Sequence, residues 1–230
     1  MSESLELKRP EVLSELGQET LRRLIRVWFE FERRLARVPI VKRLDLGKFD
    51  LQDYQSLLLN LRPQVVEGAR WISRCASSFD RDYADVRSVI IGHAKEEHRD
   101  YEVLESDYVA SGGDLATLRQ QPRNPGSEAL HCFLMYRASQ TNPVDLLGAM
   151  WIIEGLGEKM ANDWAARVEA LIDGADAYTR FSAITVTMTI HTWKSFMGWL
   201  IGCAPMSTLQ IRSLARRKSL ADSTRCNLRK

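Results

Sequence analysis

The chain has 230 residues, 45% of them hydrophobic and 27% charged, with a net charge of only +2. That length supports one or two domains with a sizeable core, and the composition excludes global disorder. No apolar run approaches the roughly 20 residues of a membrane span, and the small net charge gives no overall nucleic-acid signal. MSESLELKRPEV lacks the apolar core of a leader, and Cys75, Cys132, Cys203 and Cys226 form no CxxC pair. Both features suit a reducing, cytoplasmic setting rather than a zinc ribbon or a disulfide scaffold.

Helix formers dominate, and no stretch sustains the alternation of a strand. A first helix is expected from Gln18 to about Ala36, ended by Pro39. LDLGKFDLQDYQ reads as a turn, with Asp50 as N-cap and Asp53 three residues on. A second helix follows from Leu51 to Ala76 with a kink at Pro63. A third runs from Tyr83 to Ala110 and stops at Ser111-Gly112-Gly113. DLATLRQQPRNPG reads as a loop. A fourth helix starts near Ser127, a fifth covers Val144 to Ile172, and another begins near Ala177. The class is all-α, a single helical bundle.

Within this pattern, polar groups fall where apolar ones belong. With His93 at zero on a helical wheel, Glu97 lies at about 40° and Asp100 at about −20°, among Val86, Val89, Ile90 and Leu104. On the fifth helix Glu154 shares a stripe with Leu147, Met150, Trp151, Ala161 and Val168, and Glu158 lies at about 40° from it. A buried carboxylate costs several kcal/mol unless compensated by a cationic partner, a proton or a metal. Arg74, Arg99 and Arg137 are available as partners. A metal is the alternative, because inward carboxylates and histidines on bundle helices build di-iron and di-manganese sites. Glu67 shares a polar face with Asn60, Gln64 and Arg74, which suits solvent or a wet cavity. Nucleotide, hydrolase and zincin motifs are absent from the sequence.

The run HAKEEHRDYEVLESDYVASGGD, from His93 to Asp114, resembles the H-x-x-E-E-x-x-H/D helix of haem-oxygenase-like iron-containing redox enzymes, which share the scaffold of the thiamin-related TENA group. GKFDLQDYQ and NPVDLLGAMWIIEGLGEKMA strengthen the likeness, which covers about residues 15–180. It implies a haem-oxygenase-like bundle over residues 1–182. It also implies two iron ions, or iron and manganese, that activate O2 on a small organic substrate. The ligands it implies are His93, Glu97, Asp100 and Glu154; the wheels add Glu67 and Glu158 as weaker candidates. A homodimer is a candidate assembly; nucleic acid and membrane are not expected partners. Haem is disfavoured because residues 15–36 hold no histidine. The reading from a different class is a non-catalytic bundle that binds a small ligand or partner protein, with Glu97 and Glu154 paired to arginine.

The resemblance fails in the last helix. The family places H-x3-D-x2-H about 30 residues after the Glu154 position; this chain has AITVTMTIHTWKSFMG, with His191 alone. Charge breaks at the same place. Residues 1–182 carry 24 basic and 29 acidic residues, and residues 183–230 carry 8 basic residues and one acid, Asp222. Reading the codons one base out of frame forces Asp across Met188/Thr189 and Glu across Trp193/Lys194, and permits His across Ile184/Thr185 and His191/Thr192. That restores the missing spacing, so a frame change near residues 180–184 is the expectation. Residues 183–230 are then an atypical basic segment that packs poorly on the bundle and leaves the metal site incomplete.

Overall fold

In the computed structural model, residues 15–182 are described. They contain helices and turns and, among the described residues, no strand. Helix α1, Glu15–Leu35, buries Leu24, Trp28, Phe31 and Leu35, whose spacing of four, three and four keeps one stripe inward. Helix α2, Pro39–Asp45, starts with proline at its first turn and buries Val41 and Leu44. Helix α3, Leu51–Ser77, opens with the expected cap: Asp53 N–H donates to Asp50 Oδ1 at 2.9 Å, and Asp50 N–H donates to Asp53 Oδ2 at 3.1 Å. Pro63 lies inside this helix and is buried.

Next come α4, Ala84–Glu97, and α5, Asp100–Ala110. Helix α6, Leu115–Gln120, is capped by Asp114. Helix α7, Pro125–Ala138, is capped by Asn124, which accepts from Ser127 N at 2.9 Å. Helix α8, Asp145–Leu156, passes through a π turn at Gly157–Ala161 into α9, Asn162–Leu171. Helix α3 is the central element, packed along α4, α5 and α7. One apolar cluster gathers Trp28, Trp71, Leu134, Leu147, Met150 and Trp151; a second gathers Leu44, Tyr54, Leu104, Leu118, Val168 and Tyr178. Each such side chain contributes on the order of 1.5–3 kcal/mol through burial.

Three expectations are corrected. The third helix is two: the backbone turns at His98 and Arg99, and Asp100 begins a new helix. No proline or glycine marks that break; tertiary packing imposes it. DLATLRQQPRNPG is not all loop, because the Asp114 cap nucleates α6 and Leu118 is fully buried. The fifth helix is interrupted by the π turn, which inserts an extra residue into the ladder. Here Trp28 packs so tightly on Gly155 that an added Cβ would lie 2.7 Å from its ring. Gly155→Val is expected to destabilise the chain by about 2 kcal/mol, read by thermal denaturation, because this overpacking outweighs the gain in helix propensity.

A short 3-10 turn occupies Ala175–Ala177, and helical backbone resumes at Arg180. The chain is pinned there. Tyr54 Oη donates to the Tyr178 carbonyl at 2.6 Å, and the fully buried Asp107 accepts from Phe181 N at 2.7 Å and Arg180 Nε at 3.1 Å. Burial pushes the Asp107 carboxyl up, and these donors oppose it. No helix among the described residues is long and apolar enough to cross a membrane. The expectations for the frame change, the last-helix ligands and the packing of residues 183–230 lie outside the described residues.

Candidate metal centre

Four elements bring the predicted carboxylates and histidine together. The inward stripe of α4 buries Val86, Ile90, His93 and Ala94, and Glu97 follows His93 by one turn. The break after α4 turns the chain so that Asp100, first in α5, is also buried. Glu154 reaches them from α8 and is buried among Leu147, Met150 and Trp151. From α3, Gly68 faces the site. A Cβ there would meet only Glu97 Oε2, at 4.0 Å, so the helix backbone leaves room beside that carboxylate.

His93 Nε2 lies 2.8 Å from Glu154 Oε1 and 3.6 Å from Glu97 Oε1. One ligand atom from each of the three residues falls within 4.8 Å of the others. Glu154 of α8 and Glu97 of α4 thus meet at one point. Despite the short distance to Glu154, Nε2 is buried and makes no hydrogen bond of acceptable geometry. Asp100 lies close enough to feel both glutamates but outside this group of ligand atoms.

The charges are poorly compensated by the protein itself. Burial alone would pull the His93 ring down, but the adjacent Glu154 and Glu97 carboxylates outweigh it and hold its pKa at about 10. Burial, with the charges of Glu97 and Glu154, pushes Asp100 up to about 6. The three arginines available as partners are engaged elsewhere: Arg74 with Ser139 Oγ at 3.0 Å, Arg99 with Glu102 at 2.8 Å, and Arg137 with Asp145 at 2.7 Å. Among the described residues, no arginine or lysine forms an ion pair with Glu97 or Glu154. Protonated His93 thus offsets only one of the two glutamates.

The weaker candidates do not join the site. Glu67 is a structural ion pair, 3.0 Å from Arg70 and 3.4 Å from Arg123, with a side chain only 12% exposed rather than solvated. The polar face around it is used for packing: Gln64 donates to the Ser127 carbonyl and hydroxyl, and Asn124 donates to Asn60. Glu158 sits in the π turn and is absent from the clustered ligand atoms. Gly68 was not predicted as part of the site; a glycine in the middle of a 27-residue helix was its only signal.

No family model and no curated protein matches the sequence. Solved structures do match. A domain of unknown function with a haem-oxygenase-like fold from Shewanella denitrificans superposes with a TM-score of 0.75 at 17% identity, covering 94% of this chain and 91% of that one. This chain has a haem-oxygenase-like fold. A TenA homolog from Pseudomonas syringae pv. tomato gives a TM-score of 0.70 at 14% identity, over 96% of each chain. Haem-oxygenase-like bundles host unrelated chemistries, so function rests on the site rather than the scaffold.

Proposed function

We propose that this haem-oxygenase-like bundle is a non-haem iron enzyme, with manganese as the other fitting metal, that activates O2 on a small organic substrate as an oxidase or oxygenase. The observation that carries the reading is the convergence of two carboxylates, Glu97 and Glu154, on one buried imidazole nitrogen, which offsets only one of their charges. A divalent cation supplies the missing positive charge. Oxygen donors with one imidazole suit iron or manganese, and they resemble half of a bundle di-metal site. His93, Glu97 and Glu154 would hold one ion, with Asp100 beside it. A second ion, which the family resemblance implies, needs donors from outside the described residues.

Such an ion supplies the one-electron chemistry that lets O2 react with a closed-shell organic molecule. The chain's own residues do the rest. Glu154 is buried and fixes the dry side of the site, whereas the Glu97 side chain remains 25% exposed and marks the side of approach, beside the space left by Gly68. Asp100, with its pKa held near neutrality, can hold or give up a proton at its carboxyl oxygen at working pH. A catalytic reading is favoured over the ligand-binding bundle because, among the described residues, Glu97 and Glu154 do not make the arginine pairing that the latter requires.

The direct test is elemental analysis after expression in iron-supplemented medium, followed by titration of the metal-free chain with Fe(II) and Mn(II). About one tightly held ion per chain is expected at this donor set; trace metal together with no saturable uptake would sink the reading. A second expectation concerns protons. His93 is charged in the metal-free protein, so metal binding must release its proton. Calorimetry in two buffers of different ionisation enthalpy should show about one proton released per ion near pH 7, with affinity climbing as pH rises towards 10. Without metal the sign of the stability term is the opposite. The contribution of charged His93 is full below about pH 6.5, the unfolded value, and is lost as pH rises through about 10.

A further inference from the structure

The outer side of α3 and α4 carries a feature that the metal centre does not use. A surface groove of about 370 Å³ runs between the two helices. Ala69, Ser73 and Ala76 of α3 and Ala94 of α4 give it a shallow floor of small side chains, and Ile91, 56% exposed, adds an apolar wall. Arg87 lies towards one end, and Lys95 and His98 towards the other. On the wheel Arg87 and Lys95 fall about 40° either side of Ile91, whereas the acids of α4, Asp85, Glu96 and Glu97, fall more than about 90° away. No acidic side chain lines the groove.

These cations are largely unspent. Neither Arg87 nor Lys95 forms an ion pair with a described residue; Arg87 makes only a long contact, 3.4 Å, to the Phe79 carbonyl. Arg22, Arg43, Arg99 and Arg167, also on the surface, are held by carboxylates. The groove's shape adds a second constraint. From Arg87 to His98 the helix rises about 16 Å, so a ligand that meets the cations at both ends must be extended. The Arg87 and Lys95 backbones are separated by about 12 Å along the axis.

We propose that this groove binds a linear dianion: two carboxylate-like groups joined by an extended apolar chain about 12 Å long. The chain covers Ile91 and the alanine floor, and each anionic end meets a cation that forms no ion pair among the described residues. The ligand belongs to a site separate from the metal centre, on the opposite face of α4 from His93.

Decanedioate is the test ligand, titrated by calorimetry into the full metal-free chain so that the outcome does not depend on the metal reading. Saturable one-to-one binding tighter than about 1 mM is expected, with decanoate about fivefold weaker and butanedioate and the matching diamine showing none. Arg87→Glu and Lys95→Glu are surface changes that should each weaken binding by about tenfold or more, and Ser73→Phe should block it by filling the floor. Circular dichroism should show all three variants folded. Absence of binding, equal binding of the diamine, or affinity indifferent to both charge reversals would overturn the proposal. So would selective capture of an acidic helical peptide in place of decanedioate, which would make the groove a protein-docking surface.

Discussion

Glu154→Ala is expected to remove tight metal binding and, in the same step, to destabilise the metal-free chain. Glu154 is the nearest carboxylate to His93 and the most buried of the three clustered donors after His93 itself. Without it, one carboxylate and one imidazole remain, too few donors to strip a divalent ion of its water. Affinity for Mn(II) or Fe(II) should fall by about 100-fold or more, beyond the loss typical of an outer-shell partner. The imidazolium of His93 also loses its closest counter-charge while staying buried, a loss that costs on the order of 3 kcal/mol. Glu154→Gln preserves volume and abolishes only the charge, so it should show both losses, with the part of the Ala destabilisation that comes from the cavity removed. Glu67→Gln should leave metal uptake unchanged, since Glu67 serves Arg70 and Arg123 instead. Equal metal content in Glu154→Ala and the parent chain would remove Glu154 from the site.

Glu105→Ala is expected to cost a similar amount of stability with no effect on metal. Glu105 is 5% exposed and bridges three helices: it accepts from Arg62 Nε of α3 at 2.8 Å and from Arg119 Nη2 of α6 at 2.6 Å. Burial pushes its pKa up, but the two guanidinium groups pull harder and leave the carboxyl below the usual glutamate range. Such a group stabilises the fold above the unfolded pKa, and the contribution is lost as pH falls through the lower folded value. Removing the carboxylate leaves Arg62, a side chain only 14% exposed, without its counter-ion. A loss of about 3–5 kcal/mol is expected from chemical denaturation at neutral pH, with the parent–variant difference shrinking in acid. A difference that does not shrink as the medium is acidified would place the loss in packing rather than in the ion network.

The contrast between these two carboxylates shows how far the sequence can be read. His93, Glu97 and Glu154 were legible because each sits on an otherwise apolar stripe of a long amphipathic helix, where an uncompensated polar group is conspicuous. Asp100 was placed inward for a reason only partly right: the wheel assumed one helix through residues 98 and 99, and the chain instead breaks there and still delivers Asp100 to the interior. Glu105 went unnoticed because its partners are 43 and 14 residues away and no local pattern announces them. The π turn itself was not legible: the wheel extrapolates an α-helix past Leu156, and the turn adds a residue that periodicity cannot reveal. The bundle class was readable from helix formers and caps, and the Asp50 cap was found at its place. Helix α6 was missed because six residues are too few to show a period.

The π turn has a consequence for chain length. Its five residues occupy the space that four would fill in an unbroken α-helix, so the segment Gly157–Ala161 carries one residue of slack. Deleting a single residue there should heal the ladder and leave the helix continuous from α8 into α9, whereas deletion within α8 or α9 should swing every later side chain by about 100°. A scan of one-residue deletions from 146 to 170 should therefore show a narrow window of tolerance at 157–161. In that window Glu154, upstream, keeps its bearing on His93, and Val168, downstream, keeps its place in the second apolar cluster.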